Sequence, residues 1–222
     1  MSIQEKLITI TENVPMVYDA GIAEGRTQEW SDFWDAYQNN GNRRDYGNAF
    51  GGLSKYTGWN DTTYDPKYPI VLGTQAETEN TYSAYRIFAN SRITSTKVPI
   101  IAKGAYVSDP FQSSYLKEVV YFEVDENTTF ANFSSGTYNL TKLNMVGVIA
   151  NNVQLNFDGL NKEYTYQLMG LLSDTVTGKT ARFSYYNVSV KFETSSGARD
   201  GTTSPEWQAL VATKPNWTIS LV

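Results

Sequence analysis

The 222-residue chain contains no cysteine and no histidine. Without cysteine it has no disulfides, no thiolate metal ligands and no cysteine nucleophile. Without histidine it lacks the commonest general base and the commonest metal ligand, which excludes serine triads, the usual zinc hydrolases and histidine-based phosphoryl transfer. The sequence therefore predicts no catalytic, cofactor-binding or metal-binding residue, and we interpret the protein as a non-enzyme without cofactors.

Charged residues are also scarce, at 18% of the chain, and they leave a net charge of −5. A protein that binds a phosphate backbone needs a basic face, so the composition argues against a nucleic-acid partner. No apolar run approaches the ~18 residues that a membrane span requires, and the N-terminus has no signal-peptide pattern. We therefore expect neither membrane insertion nor export through a signal peptide.

Uncharged hydroxyl, amide and aromatic side chains fill the gap, with 24 Thr, 18 Asn, 18 Ser and 16 Tyr. This composition is typical of extended β surfaces. From about residue 82 the chain also shows a faint repeat, whose units begin at Ile93, Leu116 and Leu140, 23 and 24 residues apart. Such a period lies within the range of leucine-rich repeats and returns the chain to the same place once per coil.

The repeat predicts that the strands starting near Leu116 and Leu140 lie side by side and parallel. Val119 and Leu143 should then share one core, with Phe130 and Phe133 packed behind them. Beyond the repeat, the patterns predict a helix within 158–176, a strand over 181–190, a helix over 205–212 that starts at a proline, and a strand over 217–222 in or against the same sheet.

The N-terminal segment has a different pattern. Residues 1–25 carry apolar side chains at alternating spacings of four and three, which predicts a short amphipathic helix. A helix this short needs a partner surface, either its own domain or another chain. We predict an attachment or oligomer interface at Ile3, Leu7, Ile10, Val14 and Val17. A second helix within 28–50 is expected to bury one aromatic face, formed by Trp30, Phe33, Trp34 and Tyr37.

These elements predict an α+β fold, with N-terminal helices followed by a β-rich, degenerate leucine-rich-repeat-like domain. An antiparallel β-sandwich is the alternative, because the Ser/Thr/Gly-rich turns permit it equally. The predicted organisation is a helical attachment region at 1–52, an irregular linker at 53–81 and the repeat-like domain at 82–222.

Strings of residues along most of the chain carry a family resemblance. They lie at 4–7, 17–21, 33–38, 41–43, 46–50, 66–70, 116–119, 139–143, 147–153 and 171–174. In these strings the chain resembles small proteins encoded in the structural modules of phages and prophages of gut Firmicutes, in which such an N-terminal part precedes a leucine-rich-repeat-like region of the surface-antigen type. The resemblance implies a virion or surface role and carries no catalytic residue.

The function expected from this resemblance is a phage virion structural protein, such as a tail-fibre, baseplate or head-decoration subunit, made in the bacterial cytoplasm. Its partners would be other virion proteins, copies of itself, and a host cell-wall glycan or surface protein, bound by exposed Tyr and Trp. A bacterial surface adhesin or carbohydrate-binding module is the alternative. A glycan depolymerase would need two carboxylates, for which Glu118 and Glu123, on opposite strand faces, or Glu123 and Asp125, on one face, are the candidates.

Overall fold

The computed structural model describes residues 69–72, 84–85, 87–88, 93–112, 115–133, 138–192 and 204–222. Two predicted features lie outside these stretches. The first is the N-terminal interface of Ile3, Leu7, Ile10, Val14 and Val17. The second is the aromatic helix face of Trp30, Phe33, Trp34 and Tyr37.

The described residues form short strands and three helices. The strands are β1 (Ile70–Val71), β2 (Ala84–Tyr85), β3 (Ile100–Ile101), β4 (Tyr106–Ser108), β5 (Glu118–Val124), β6 (Thr129–Asn132), β7 (Lys142–Gly147), β8 (Val153–Leu155), β9 (Lys179–Phe183) and β10 (Trp217–Leu221). The helices are α1 (Lys162–Leu171), α2 (Tyr185–Lys191) and α3 (Pro205–Ala212). Within these stretches, no helix is long and apolar enough to cross a bilayer.

The chain winds as a parallel coil. Each turn places one strand in a first sheet, of order β1-β3-β5-β7, and the next strand in a second sheet, of order β2-β4-β6. A third sheet, of order β10-β9-β8, follows at the C-terminal end. Every strand pair in the described part is parallel, because each coil returns in the direction of the one before it.

The predicted pairing of the Leu116 and Leu140 segments is confirmed. β5 and β7 are parallel neighbours, and Val119 pairs with Leu143, 24 positions later. Both side chains are fully buried in one core. Phe133 is also fully buried behind them, whereas Phe130 is partly buried and packs on the core from its edge.

A ladder of phenylalanine rings runs through this core, with one ring from each coil. Phe88, Phe111, Phe133 and Phe157 follow one another with ring centroids 6.2, 5.8 and 5.4 Å apart. All four rings are at most 2% exposed. Aromatic pairs at such distances contribute about 0.5–1.5 kcal/mol each beyond the area that they bury. The ladder therefore ties each coil to the next one.

Polar groups in the turn between β5 and β6 join the coil that contains these strands to the preceding coil, which contains β3 and β4. Asp125 Oδ1 accepts hydrogen bonds from the backbone N–H of Gly104 at 2.8 Å and of Asn127 at 3.1 Å. The Thr128 hydroxyl lies 3.0 Å from Asp125 Oδ1 and 2.8 Å from Ala102 O. Burial by itself would raise the pKa of Asp125, but the bonds from Gly104, Thr128 and Asn127 outweigh it and lower that pKa below its ordinary value.

We expect Asp125→Ala to lower the free energy of unfolding by about 1–2 kcal/mol at pH 7, since it removes three hydrogen bonds to a charged acceptor. A carboxyl group whose pKa is depressed on folding stabilises the protein above its unfolded pKa, here 3.8, and that stabilisation disappears as the pH falls through the folded value. The difference between wild type and variant, measured by urea unfolding, should therefore shrink from pH 7 to pH 3. Glu126→Ala, at the exposed neighbouring position, is the control and should leave stability unchanged at both pH values.

The edge of the first sheet is covered by α1. The Gln167 side chain donates a 2.8 Å hydrogen bond from Nε2 to Met145 O, a carbonyl of the edge strand β7. Leu168 and Met169 of the same helix are buried in the core. The first sheet therefore ends at β7, whose free edge is covered by α1.

Two lysines hold the helices against the rest of the C-terminal part. Lys214, only 8% exposed, donates to Leu172 O at 2.6 Å and pairs with Asp174 at 2.8 Å, just beyond the end of α1. A cation is favourable at this position because the C-terminus of a helix carries a partial negative charge on its last carbonyls.

The second lysine lies between α1 and α3, where Lys162 pairs with Glu206 at 2.5 Å. Hydrogen bonds from Lys162 and from the hydroxyl of Tyr166 lower the pKa of the Glu206 carboxyl.

The predicted fold class is wrong. Helices were expected at the N-terminus, ahead of a β-rich, leucine-rich-repeat-like domain, but the described helices all lie after β8, between and beyond the last strands. The alternative, an antiparallel sandwich, is also wrong, because the sheets are parallel. The described fold is a coil of parallel sheets closed by three helices near its C-terminal end. β1 lies in the segment expected to be an irregular linker, and its Ile70 pairs with Ile100.

The strand predicted over 181–190 is wrong in its second half. β9 ends at Phe183, and Ser184 begins α2 by accepting a 3.0 Å hydrogen bond on its hydroxyl from Asn187 N–H. A serine cap favours a helix start over continued extension, although the following residues alternate in polarity. The predicted helix over 205–212 and the strand from Trp217 are confirmed, but that strand pairs with β9 rather than with the sheet of β5 and β7.

Candidate functional site

A groove opens where the second sheet ends and the third begins. β6 is the last strand of the second sheet and β8 the first of the third, and the two are adjacent in space. No ladder joins them in the described residues, because they belong to separate sheets. Asn151 joins the segments that precede these two strands, since its Nδ2 donates to Glu126 O at 3.1 Å and to Thr128 O at 3.0 Å.

The groove has a volume of about 260 Å³. One wall is formed by Phe130 and Ala131 of β6. Phe130 is half-buried, and its ring stands nearly perpendicular to that of Phe133 at a centroid distance of 5.2 Å. The phenylalanine ladder therefore fixes this wall from behind.

The opposite wall is a row of polar side chains from β8 and β9. Register pairs Gln154 with Arg182, whose Cα atoms are direct neighbours across the ladder. Asn152, just before β8, and Thr180 of β9 each lie two residues earlier in the chain, and a 2.9 Å hydrogen bond from Thr180 N–H to Asn152 Oδ1 joins them. These outward positions alternate with the buried Val153, Leu155, Ala181 and Phe183, as a half-buried sheet requires.

The hydrogen-bonding capacity of this wall is directed outward. The hydrogen bond from Thr180 N–H uses only the oxygen of the Asn152 amide, so it leaves the two N–H donors on Nδ2 unused. Arg182 is exposed and takes part in none of the ion pairs among the described residues. The guanidinium and the amides of Asn152 and Gln154 together offer several N–H donors on a rigid strand pair.

The carboxylates considered for glycoside hydrolysis are engaged elsewhere. Glu118 pairs with Lys142 at 3.8 Å, and Glu123 pairs with Lys103 at 2.6 Å. The expectation that Glu118 and Glu123 lie on opposite faces is wrong. A bulge between Val119 and Phe122 inserts an extra step, so both glutamates lie outside while Val119 and Phe122 lie in the core.

Asp125, the third of these carboxylates, accepts the hydrogen bonds of the β5–β6 turn. Its pKa is lowered, which is opposite to the change that a general acid requires. The described residues also contain no group of three or more acidic, histidine or cysteine side chains that could hold a metal ion.

The aromatic residues expected to meet a receptor divide into two groups. Trp207 and Trp217 are 5% and 7% exposed, and Trp217 donates its indole N–H to Ser173 O at 2.7 Å, so both belong to the core. The exposed aromatic side chains of the described part are tyrosines, with Tyr138 at 72% and Tyr186 at 61%. Phe130, partly exposed at the groove, was expected only as a packing residue.

Sequence reasoning did not identify Asn152, Gln154, Thr180 or Arg182 as a site. The alternation of Lys179 to Phe183 places Arg182 on an outward position, and that signal was present in the sequence. No signal in the sequence indicated the groove between β6 and β8, because that groove depends on which strands share a sheet. Comparison of the chain with protein-family models, with curated proteins and with solved structures found no match.

Proposed function

We propose that this chain is a phage virion structural protein whose parallel coil binds a glycan of the host surface in the groove between β6 and β8. The observation that carries the binding role is the groove itself, which places Arg182, Asn152 and Gln154 opposite the ring of Phe130. Placement on a virion rests on the family resemblance of the sequence strings. In that placement the N-terminal segment around Ile3, Leu7 and Ile10 would attach the chain to other virion proteins or to its own copies.

The chemistry of the groove suits a sugar. Amide and guanidinium groups are planar donors that can meet neighbouring ring hydroxyls in pairs, and an aromatic side chain covers the C–H face of a sugar ring. A site on strands is held more precisely than one on loops. Here the pairing of β8 with β9 fixes the spacing of Gln154 and Arg182, and the ladder behind Phe130 fixes the opposite wall.

The same structure favours binding over hydrolysis. Glu118 and Glu123 each pair with a lysine, and Asp125 serves a turn. The groove, in turn, has no acidic side chain among its described lining residues. A retaining or inverting glycosidase needs two carboxyl groups about 5–10 Å apart on either side of the scissile bond.

The virion role is tested on particles purified from a bacterial host that carries the gene. We expect the protein at a fixed copy number per particle by quantitative mass spectrometry, and antibody labelling at one place on negatively stained particles. Its absence from washed particles would contradict the virion placement. Export to the surface of uninfected cells would instead favour the adhesin or carbohydrate-binding module.

The binding role is tested separately by co-sedimentation with host cell walls. Ala131→Trp fills the groove from an exposed position of β6 and is expected to lower wall binding at least tenfold. Ala212→Trp makes the same substitution at an exposed position of α3 that does not line the groove and should bind like wild type. Equal binding by both variants would exclude the groove as the site, provided that circular dichroism shows both to be folded.

A further inference from the structure

Arg182 is an exposed cation that has no carboxylate partner among the described residues, unlike four of the lysines. Lys103, Lys142, Lys162 and Lys214 are each paired with a carboxylate. Arg182 has no such partner among the described residues, although the protein as a whole carries a net charge of −5. An exposed arginine in the wall of a groove without acidic lining residues creates a local positive field in a negative protein.

Guanidinium is suited to one kind of ligand group. Its parallel N–H donors match the two oxygens of a carboxylate or a phosphate, and such bonds are shorter and about twice as strong as neutral ones. Gln154 is the direct neighbour of Arg182 across the β8–β9 ladder, so its side-chain amide can donate to the same anion or to a hydroxyl beside it. Asn152 keeps Nδ2 donors for a second position on the ligand, since only its oxygen is used by Thr180.

We infer that the groove selects an acidic sugar unit, with its carboxylate or phosphate held by Arg182 and Gln154 and its ring placed against Phe130. This inference rests on the proposed function, because it specifies which glycan the groove takes. Carboxylate and phosphate present the same oxygen geometry to the guanidinium. A polymer of uronic acids and a polymer of phosphodiester-linked sugars are therefore the two sources to separate.

The experiment uses calorimetric titration of the full chain with defined oligomers. One arm compares an oligogalacturonate with the same oligomer after its carboxyl groups are reduced to alcohols. The other arm compares an oligomer of phosphodiester-linked N-acetylglucosamine with a neutral N-acetylglucosamine oligomer of the same length. We expect one acidic oligomer to bind at least tenfold more tightly than its neutral counterpart. Because Arg182 is exposed, that preference should also weaken as salt is raised.

Three variants locate the preference. Arg182→Gln should remove it, and Arg182→Lys should keep only a small part of it, since lysine keeps the charge but loses the paired donors. Lys142→Gln removes the same charge from the exposed face of β7 and should bind like wild type. Equal affinity for acidic and neutral oligomers, lack of binding to both acidic oligomers, or an equal loss in Lys142→Gln would overturn the inference.

Failure of this inference is distinguishable from failure of the proposed function. If Arg182→Gln binds host walls as wild type does while Ala131→Trp does not, the groove binds a neutral glycan and the charge selectivity is wrong. If wild-type protein does not bind host walls at all, the receptor-binding role itself is wrong.

Discussion

Phe133→Ala is expected to lower the free energy of unfolding by about 3–5 kcal/mol. The ring is fully buried and lies at the centre of an aromatic cluster, with centroids 5.8 Å from Phe111, 5.3 Å from Phe122, 5.2 Å from Phe130 and 5.4 Å from Phe157. Its removal leaves a cavity that these rings cannot fill without leaving their own positions. It also removes the third ring of the ladder, which separates the second ring, Phe111, from the fourth, Phe157.

The measurement is urea unfolding followed by circular dichroism. Phe133→Leu retains most of the volume and should cost roughly a third as much, because it loses the ring contacts but leaves a smaller cavity. Tyr138→Ala removes an aromatic side chain that is 72% exposed and should change stability by less than about 0.5 kcal/mol. A loss of under about 1 kcal/mol for Phe133→Ala would show that the ladder does not hold the coils together.

Asn187→Ala is expected to cost about 2–4 kcal/mol, because it leaves several buried polar groups without partners. Asn187 is 3% exposed, and its Nδ2 donates to Phe157 O at 3.0 Å and to Leu160 O at 2.5 Å. Its Oδ1 accepts a 3.2 Å hydrogen bond from the Thr165 hydroxyl. One side chain therefore joins α2 both to the 157–160 turn and to α1.

An isosteric variant separates the hydrogen bonds from the packing. Asn187→Asp keeps the volume but points an acceptor at the carbonyls of Phe157 and Leu160, so it should be at least as destabilising as alanine at pH 7. Protonation restores a donor, so its deficit should decrease as the pH falls. Val190→Ala, at a position of α2 that is 40% exposed, should stay within about 0.5 kcal/mol of wild type. Equal stability of Asn187→Asp and wild type at neutral pH would contradict the assigned hydrogen bonds.

The parallel coil could be predicted from the sequence because the spacing of a repeat can be read directly from residue positions. The interval from Leu116 to Leu140 predicted the neighbours and their direction, and Val119 faces Leu143 as expected. The interval could not show how the strands divide between sheets, since that depends on the turns. One such turn is fixed by Asp125 and Gly104, which are 21 positions apart in the chain.

The predictions from sequence patterns are wrong at places where one residue overrides the pattern around it. The bulge after Val119 reverses the alternation that separated Glu118 from Glu123. Ser184 starts a helix inside a run that alternates like a strand. The candidate groove was missed for a related reason. Its walls, Phe130 and Arg182, belong to different sheets, and their proximity follows from a break in hydrogen bonding that no local pattern records.

The helix over the edge of β7 has a consequence for self-association. A parallel coil has no intrinsic length limit, because its last strand offers the same row of amides and carbonyls that the previous strand used, and an uncovered row invites another chain to add to it. Gln167 occupies Met145 O, one of the carbonyls that an incoming strand would need, and α1 blocks the approach. The covered edge therefore opposes fibre growth by strand addition at β7, so copies of this chain can reach a high local concentration without polymerising through that edge.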